Sequence, residues 1–246
     1  MPKSTFLNLP VEKRTRIIEL AIDEFAAHPY RQASLSRIVA RAGIAKGSMY
    51  QYFQNKLDLY QWLITDELER RKREYLDTQP TNNDPGLLDD LEDMLMCEIG
   101  FMLDNPRLAQ LAAGALVPTS DAALHEFHTR LRRAHHEELA AKIRQAAQAG
   151  EIRGDLDPDT LALMLTAIVR QAVPTMVMHR LGAAPHDLLA DPSLGQKLGH
   201  ASRRMVCEQA LDFVRGALGR HSAQPPIQTH RSAIPVPAAM SWLAEA

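Results

Sequence analysis

The sequence predicts an all-α protein made of a small N-terminal three-helix unit and a larger helical domain. Apolar residues recur at spacings of three and four along most of the chain, as they do on one face of a helix. No segment alternates apolar and polar residues over the length of a strand. The apolar fraction of 46% is enough for buried cores, and the aromatic fraction of 5% favours helices packed through Leu, Ala, Met and Ile.

Charge is distributed unevenly, although the 246-residue chain has a formal net charge of only −2. Residues 1–60 contain nine Lys and Arg residues against five Asp and Glu residues, so the remainder is acidic. A basic head on an acidic body is typical of a nucleic-acid-binding domain carried by a second domain. Chance clustering of charges is the alternative.

The bulk sequence favours a cytoplasmic protein. The two cysteines, Cys97 and Cys207, are too few for a disulfide framework, and the first ten residues lack the apolar core of a signal peptide. The most apolar run, residues 161–178, contains Thr166, Arg170 and Pro174. We therefore expect a buried helix there and not a membrane span.

The N-terminal unit is predicted to contain three helices over residues 11–56, preceded by a flexible arm over residues 1–10. Ile17, Ile18, Ala21, Ile22 and Phe25 form the apolar stripe of the first helix, which Pro29 must end. Ser34 is expected to cap the second helix, and Gly43 to end it in a left-handed conformation. The third helix follows from Lys46, with Met49 and Phe53 buried on one side.

Two short helices joined at a glycine have the layout of a helix-turn-helix, whose second helix enters the major groove of DNA. Burial of Met49 and Phe53 leaves a set of side chains that carry hydrogen-bonding groups and no carboxylate: Lys46, Ser48, Tyr50, Gln51 and Tyr52. Such a surface suits a polyanion, with Lys and Gln able to read bases and Tyr hydroxyls able to hold phosphates. Half-buried aromatic edges are the alternative for the two tyrosines.

Residues from about 11 to 60 resemble the DNA-binding domain of TetR-type transcriptional regulators. The resemblance rests on Ala21, Phe25 and the run SLSRIVARAGIAKGSMYQYFQNKLDLY, which starts at Ser34. It implies that the third helix is the recognition helix, that Lys56 contacts the DNA backbone, and that Ser34 and Ser36 meet phosphate or groove. The predicted DNA-binding residues are therefore Ser34, Ser36, Arg37, Lys46, Gly47, Ser48, Tyr50, Gln51, Tyr52 and Lys56.

One departure from the family pattern affects the recognition helix. Ala45 stands where the family often has Ser or Thr, so the helix lacks its usual side-chain cap. Such a loss costs on the order of 1 kcal/mol of local stability. No predicted contact residue is removed by it.

The larger domain is predicted over residues 57–219, with a Pro-rich mobile tail over residues 220–246. A helix from residue 56 to about 76 joins it to the head, and the charged run at 70–74 is expected to be a solvated face. Proline, glycine and capping residues then bound helices over residues 87–103, 106–116, 121–149, 158–181 and 195–218, with Thr119 or Ser120 as the cap of the third.

The helix at 158–181 is apolar nearly all round, so it needs cover on several sides. A second copy of the chain is the economical partner, and the family resemblance implies a homodimer formed by the last two long helices. A two-fold dimer matches a palindromic site with half-sites about 34–36 Å apart.

A ligand site is the next expectation for this domain. Methionines on the apolar helices suit an adaptable cavity for an apolar or amphipathic effector, although ordinary core packing is the alternative. The candidate effector-binding residues are Met94, Met102, Met164, Thr166, Ile168, Gln171 and His179. No metal is expected, because His125, His128, His135 and His136 form two pairs about two helical turns apart.

The sequence thus predicts a DNA-binding transcriptional regulator that is released from a palindromic operator by a small-molecule effector. Regulators of this type are usually repressors, and the sequence leaves an activator open. A constitutive architectural DNA-binding protein without an effector is the second interpretation. An enzyme with an appended DNA-binding head is the third, but no GxSxG, HExxH, CxxC, GxGxxG or Walker motif is present. We expect no cofactor.

Overall fold

The computed structural model describes residues 1–78 and 86–218, apart from the side chain of Lys46. The predicted tail at 220–246 and most of the polar gap at 77–86 lie outside this part. The head contains α1 to α4, and α5, a π-helical turn and α6 lead out of it. Their bounds are Ser4–Leu7, Val11–Ala27, Leu35–Ala42, Lys46–Tyr52, Lys56–Trp62, Leu63–Glu67 and Leu68–Leu76.

The body is helical throughout the residues described. It contains α7 to α13 together with a second π-helical turn after α10 and a 3-10 turn after α12. Their bounds are Leu87–Asp104, Pro106–Gly114, Ala122–Ala149, Pro158–Ala167, Ile168–Ala172, Val173–Leu181, Pro185–Ala190, Pro192–Lys197 and His200–Leu218. The all-α prediction is confirmed by this architecture, which contains no strand in the residues described.

The head is packed around aromatic rings. The ring centroids of Phe6 and Phe53 lie 4.9 Å apart, and Trp62 lies 5.6 Å from each of them. Phe25 and Tyr60 continue the cluster at 5.1 Å. Tilted and edge-on ring pairs of this kind contribute about 0.5–1.5 kcal/mol each beyond their area of burial.

The flexible arm predicted for residues 1–10 is wrong in this structure. Ser4–Leu7 forms α1, and Phe6 is completely buried in the aromatic core of the head. Burial of the Phe6 ring contributes about 1.5–3 kcal/mol, and hydrogen bonds from Lys3 and Thr5 to α4 act with it against the backbone entropy of ordering the segment. A local sequence pattern does not report one anchoring ring whose partners lie more than 40 positions away.

The helix that joins head and body is held by ion pairs. Glu67 is 4% exposed and accepts hydrogen bonds from Arg71 Nε at 2.7 Å and from Arg70. Arg71 also reaches Glu19 of α2, and Lys72 pairs with Glu98 of α7 at 2.6 Å. The solvated face expected for residues 70–74 is therefore only partly correct: Arg70, Arg73 and Glu74 are exposed, whereas Arg71 and Lys72 are half-buried and bind carboxylates of α2 and α7.

The boundaries of the body helices follow local chemistry, with three differences from the sequence prediction. Asp121, and not Thr119 or Ser120, caps α9 by accepting from Leu124 N–H at 3.0 Å. The helix predicted over 158–181 contains a π-helical turn, and the helix predicted from residue 195 begins at His200 after a 3-10 turn. Pro174 explains the π-helical turn: it has no N–H, and its ring would collide with the carbonyl of Arg170 in a regular helix.

The predicted burial of residues 158–181 is only partly correct. This segment is long and apolar enough, by length and composition alone, to cross a membrane, and 33% of its most apolar window is buried. It packs on α9 through Leu161, Ala162 and Leu165, whereas Leu163 and Met164 are exposed. Phe213 on α13 is 70% exposed, so both long helices present uncovered apolar side chains.

Candidate nucleic-acid interface and ligand cavities

The turn between α3 and α4 is built as the sequence predicts. Ser34 Oγ accepts from Arg37 N–H at 3.4 Å and caps α3. Gly43 ends α3 with φ of 68°, a left-handed conformation that glycine adopts without steric cost. Ala45 provides no side-chain cap to α4. Met49 and Phe53 are buried, which fixes the opposite side of α4 toward solvent.

The outward side of α4 carries hydrogen-bonding groups. Tyr50 is 52% exposed, Gln51 and Gly47 are exposed, and Ser48 is half-buried. A Cβ built at Gly47 meets nothing within 4 Å, so this point of the surface is open. Ser36 on α3 is also exposed, and Lys46 is the first residue of α4.

Tyr52 is placed differently from the expectation that it points outward. Its side chain is only 6% exposed, and its ring centroid lies 5.7 Å from that of Phe6. Phe6 is buried beneath α4, so the Tyr52 ring packs inward against it. The sequence of α4 by itself does not reveal this partner.

Arg37 was predicted to bind DNA, but its guanidinium binds the protein. Arg37 Nε donates to both carboxylate oxygens of Glu24, at 2.9 and 3.1 Å, and Arg37 Nη2 donates to the carbonyl of Gln32 at 2.7 Å. Glu24 is 3% exposed and also accepts from Ser34 N–H at 2.7 Å. Arg37 therefore fixes α3 against α2 while its side chain remains 49% exposed, and its direct contact with DNA stays a prediction.

Lys56 is a second cation that the structure uses internally. Its Nζ donates to the carbonyls of Tyr30 at 2.7 Å and Ala33 at 3.0 Å, and it lies 4.4 Å from the centroid of the Tyr30 ring. Burial lowers the pKa of Lys56, and the charges of Asp121 and Glu24 offset only part of this effect. Lys56 holds the loop between α2 and α3, and its contact with the DNA backbone stays a prediction.

The N-terminal segment supplies functional residues that the sequence reasoning missed. Lys3 donates from Nζ to the carbonyl of Tyr50 at 2.7 Å and from its N–H to the carbonyl of Tyr52 at 2.8 Å, and Thr5 Oγ1 donates to the carbonyl of Gln51. These are carbonyls that the end of a helix leaves without intrahelical partners. The Lys3 cation also suits the negative end of the helix dipole. No sequence signal identifies this contact, since it joins residues about 47 positions apart.

Two adjoining cavities lie in the body. The first, here called the apolar cavity, has a volume of about 160 Å³ and is lined mainly by apolar residues, among them Ile99, Met102, Ala109, Val173 and Met178. The second, here called the basic cavity, has a volume of about 130 Å³, and its polar lining residues are Glu69, Lys72, Arg132, His135, His136, Thr166 and Arg170. Lys72, Ala112, Leu116 and Arg170 line both cavities.

The structure brings few of the predicted effector-binding residues to these cavities. Met102 lines the apolar cavity and Thr166 lines the basic cavity. Met94 and Ile168 instead pack against the body core. Met164, Gln171 and His179 are exposed, so their prediction as lining residues is corrected. Gln171 lies within the π-helical turn and His179 after it, so the turn changes where these two side chains point relative to a regular helix.

Arg170 is the lining residue that the prediction overlooked. It is the only charged residue in the run from 161 to 178, and this isolation in an apolar helix was the available signal. Its Nη2 lies 3.5 Å from His135 Nδ1. Burial, followed by the charge of Arg170, lowers the pKa of His135. In the described ranges, no group of three His, Cys, Asp or Glu side chains is placed to hold a metal ion.

Ion pairs connect the wall of the apolar cavity to the head. Pro106, Ala109 and Ala113 of α8 line the cavity, and Arg107 of the same helix pairs with Asp23 and, at 2.9 Å, with Glu19 of α2. Asp23 also accepts from Arg41 Nη2 of α3 at 2.8 Å. α8, α2 and α3 therefore form one continuous set of ion pairs.

The capped α3, the glycine turn and the outward polar side of α4, carried by a helical body, define the class of helix-turn-helix transcriptional regulators. The model of the family "Bacterial regulatory proteins, tetR family" matches residues 17–62. The model "Tetracyclin repressor-like, C-terminal domain" matches residues 111–190. The chain belongs to the TetR family, which confirms the resemblance noted in its sequence.

Solved and curated relatives agree with this assignment. A TetR family transcriptional regulator from Chloroflexus aurantiacus J-10-FL is 34% identical, with a TM-score of 0.70 over 89% of this chain and 98% of that one. The transcriptional repressor SCO4008 of Streptomyces coelicolor is 27% identical over 80% of this chain and 96% of its own length. FadR of Bacillus subtilis, solved in complex with stearoyl-CoA, shares the fold at 21% identity, with a TM-score of 0.57 over 80% and 97% of the two chains.

Proposed function

We propose that this protein is a cytoplasmic transcriptional repressor that binds a palindromic operator as a homodimer and is released by a small molecule bound in its body. The observation that carries the proposal is the outward side of α4. Its polar side chains are accessible to DNA, and Lys3 and Thr5 hold its backbone carbonyls. SCO4008, a relative over most of the chain, is a transcriptional repressor, which supports the direction of control.

The proposed DNA contacts follow from exposure and chemistry. Tyr50 and Ser48 supply hydroxyls suited to phosphate oxygens, and Gln51 supplies an amide suited to adenine. The open surface at Gly47 lets the sugar-phosphate chain approach, and Ser36 offers a further hydroxyl from α3. Lys46 completes the set as the first residue of α4. Ser34 serves primarily as the cap of α3.

A homodimer is supported by the uncovered apolar side chains of the two long helices. Leu163, Met164, Met205 and Phe213 are between 46% and 70% exposed. Arg180 of α11 donates to Gln209 of α13 at 3.0 Å, so the exposed sides of these helices are neighbours. Packing against the same surface of a second chain buries the apolar side chains and creates the two-fold symmetry of a palindromic operator.

Release by an effector is supported by the position of the cavities. A ligand in the apolar cavity contacts α8, and α8 is ion-paired through Arg107 to α2, which holds α3. Moving α8 therefore shifts the head, provided that the ligand binds one arrangement of the helices better than the other. The stearoyl-CoA held by FadR supports a ligand-binding role for a body of this fold.

The decisive experiment is selection of bound duplexes from a random DNA library with the full chain, followed by sequencing. We expect an enriched palindrome. Combining Tyr50→Phe with Gln51→Ala should weaken binding to that palindrome about 10-fold or more, since one good base contact contributes about 1–3 kcal/mol and a dimer loses it at both half-sites. Gln145→Ala, an exposed glutamine on α9, is the matched control and should bind as wild type does.

A second arm of the same experiment tests the dimer. Phe213→Lys places a charge on the proposed interface, so it should shift the protein toward monomer in sedimentation and abolish enrichment of paired half-sites. Binding that tracks salt alone, with no enriched sequence, would contradict a specific repressor and favour an architectural protein. A single unpaired half-site bound by a wild-type monomer would contradict the dimer.

A further inference from the structure

Arg170 occupies an unusual position in the wall between the two cavities. Its side chain is half-buried and lines both of them. Within the described residues no carboxylate lies within 4.0 Å of it, and its recorded partner is His135 at 3.5 Å. By contrast Arg203, another partly buried arginine of the body, pairs with Asp104 at 3.2 Å. A guanidinium remains charged at every physiological pH, so one that is partly buried needs an anion.

The backbone presents this arginine by means of a local irregularity. Pro174 prevents a regular turn, and Val173 N–H bonds to the carbonyl of Ile168 in a π-helical turn that contains Arg170. π-Helical turns are frequent at functional sites, because they place a side chain where a regular helix would not. Here the turn places the only cation of an otherwise apolar segment at the boundary of the cavities.

The surroundings of Arg170 divide by polarity. On one side the apolar cavity offers aliphatic and thioether walls, including Met102, Val173 and Met178. On the other side the basic cavity adds Arg132, whose guanidinium donates to Thr129 Oγ1 at 3.2 Å and has no carboxylate within 4.0 Å among the residues described. Two carboxylates oppose them: Glu69 lines the basic cavity, and Glu98 is already paired with Lys72.

We infer that the two cavities form one binding site for an anionic amphiphile, a carboxylic acid with an aliphatic or aryl-aliphatic body. The body of the ligand lies in the apolar cavity, and its carboxylate accepts hydrogen bonds from Arg170, with Arg132 and Lys72 nearby. A carboxylate matches the planar fork of a guanidinium and forms two parallel hydrogen bonds with it. This inference rests on the proposed release by an effector, because it names the class of that effector.

The test measures direct binding to the full chain by calorimetry, in two matched pairs of probes: decanoate against decanol, and 4-phenylbutyrate against 4-phenylbutanol. We expect at least one acid to bind 10-fold or more tightly than its alcohol. Arg170→Met keeps the length of the side chain and removes the charge, so it should bring this ratio to about one and leave alcohol binding unchanged. Arg133→Met, an exposed arginine on α9 outside both cavities, is the control and should keep the ratio.

The unliganded protein provides a second readout that does not depend on the shape of the probe. Removing a half-buried charge without an anionic partner should raise the melting temperature in Arg170→Met relative to wild type, and Arg133→Met should leave it unchanged. Failure of both acids to bind, equal binding of acid and alcohol, or an acid preference that survives in Arg170→Met would each overturn the inference.

Failure of this site and failure of the proposed function are distinguishable. Acid binding that depends on Arg170 but leaves operator affinity unchanged would retain the site and contradict release by its ligand. Operator release by a neutral compound, without any preference for acids, would retain the repressor and overturn the anionic site.

Discussion

The head and the body are packed from different kinds of side chain. Residues 1–62 contain eight of the aromatic residues of the chain, and seven of its methionines lie between residues 87 and 218. Rings with fixed planes interlock around Phe6 and Phe53, whereas the body packs Leu, Ile, Val and flexible Met side chains around two cavities. The head has one well-defined geometry, and the body has room to adapt.

The same contrast holds for charge. Lys56, Arg37 and Glu24 of the head are hydrogen-bonded to groups of the head itself. In the body, Arg170 and His128 have incomplete sets of partners, and Nδ1 of His128 is buried without a hydrogen bond in this structure. Rigid presentation of a recognition helix and adaptable binding of a ligand therefore require opposite kinds of packing.

The largest expected effect comes from removing the ring that anchors the N-terminal segment. Phe6→Ala should lower the free energy of unfolding by about 3–5 kcal/mol, because it opens a cavity between Tyr52, Phe53 and Trp62. Urea unfolding measures the change. Leu7→Ala, at a 51% exposed neighbour, is the control and should cost about 0.5 kcal/mol or less. Equal and small losses of stability at both positions would contradict the anchoring of Phe6 and favour a flexible N-terminal arm.

The next largest effect is expected at the buried ion pair between Arg37 and Glu24 in the head. In Arg37→Met the buried Glu24 carboxylate keeps the hydrogen bond from Ser34 N–H but loses those from Arg37. The free energy of unfolding should therefore fall by about 1–3 kcal/mol. Burial alone would raise the pKa of Glu24, but hydrogen bonds from Arg37 and Ser34 outweigh it and hold the pKa below 4.5. The stabilisation is therefore present above about pH 4.5 and lost as pH falls through the folded-state pKa.

Removal of Arg37 raises that pKa, so the variant should lose stability at a higher pH than wild type during acid titration. Arg41→Met removes a more exposed ion pair from the same helix and should cost less than about 1 kcal/mol. An acid-unfolding midpoint in Arg37→Met equal to that of wild type would mean that Glu24 does not depend on Arg37.

A smaller effect on stability, but a specific effect on regulation, is expected at the link between body and head. Arg107→Ala removes exposed ion pairs to Asp23 and Glu19, at a cost of about 1 kcal/mol or less. Operator affinity without effector should stay near that of wild type, whereas the change in affinity caused by a saturating effector should shrink about 5-fold or more. Arg144→Ala, on the far part of α9, is the control. If a saturating effector changes the operator affinity of Arg107→Ala as much as that of wild type, the Arg107 ion pairs do not transmit effector binding to the head.

The smallest effect is a pH dependence at the boundary of head and body. Burial, followed by the positive charges of Arg132 and His125, lowers the pKa of His128 below 6.5. The unfolded chain then binds more protons than the folded one below about pH 6.5, so stability falls as pH decreases through this range. His128→Phe should retain packing with Phe127 and Tyr60 and flatten the decrease in melting temperature between pH 7.5 and 5.5. An equal decrease in both proteins would assign the dependence to other histidines.

The sequence predicted local chemistry well and long-range chemistry poorly. The Ser34 cap, the Gly43 turn and the inward placement of Met49 and Phe53 depend on residues a few positions apart, and the structure confirms them. The partners of Arg37, Lys56 and Tyr52 come from other parts of the chain, namely α2, the loop that follows α2, and α1. A periodic pattern along one helix does not report them. A ligand cavity in the body was predicted, but most of its lining residues were not, because they come from several helices whose packing no local pattern reports.

The groups that hold α4 in place are different from the side chains that α4 exposes. Lys3 and Thr5 bind α4 through its backbone carbonyls, which every residue type possesses, and inward anchoring relies on Met49, Tyr52 and Phe53. Under the proposed function, substitutions at Ser48, Tyr50 or Gln51 change the DNA sequence that is read and remove none of these supports. Such a helix can diverge rapidly after gene duplication, and descendants can acquire new operators while they inherit the same head.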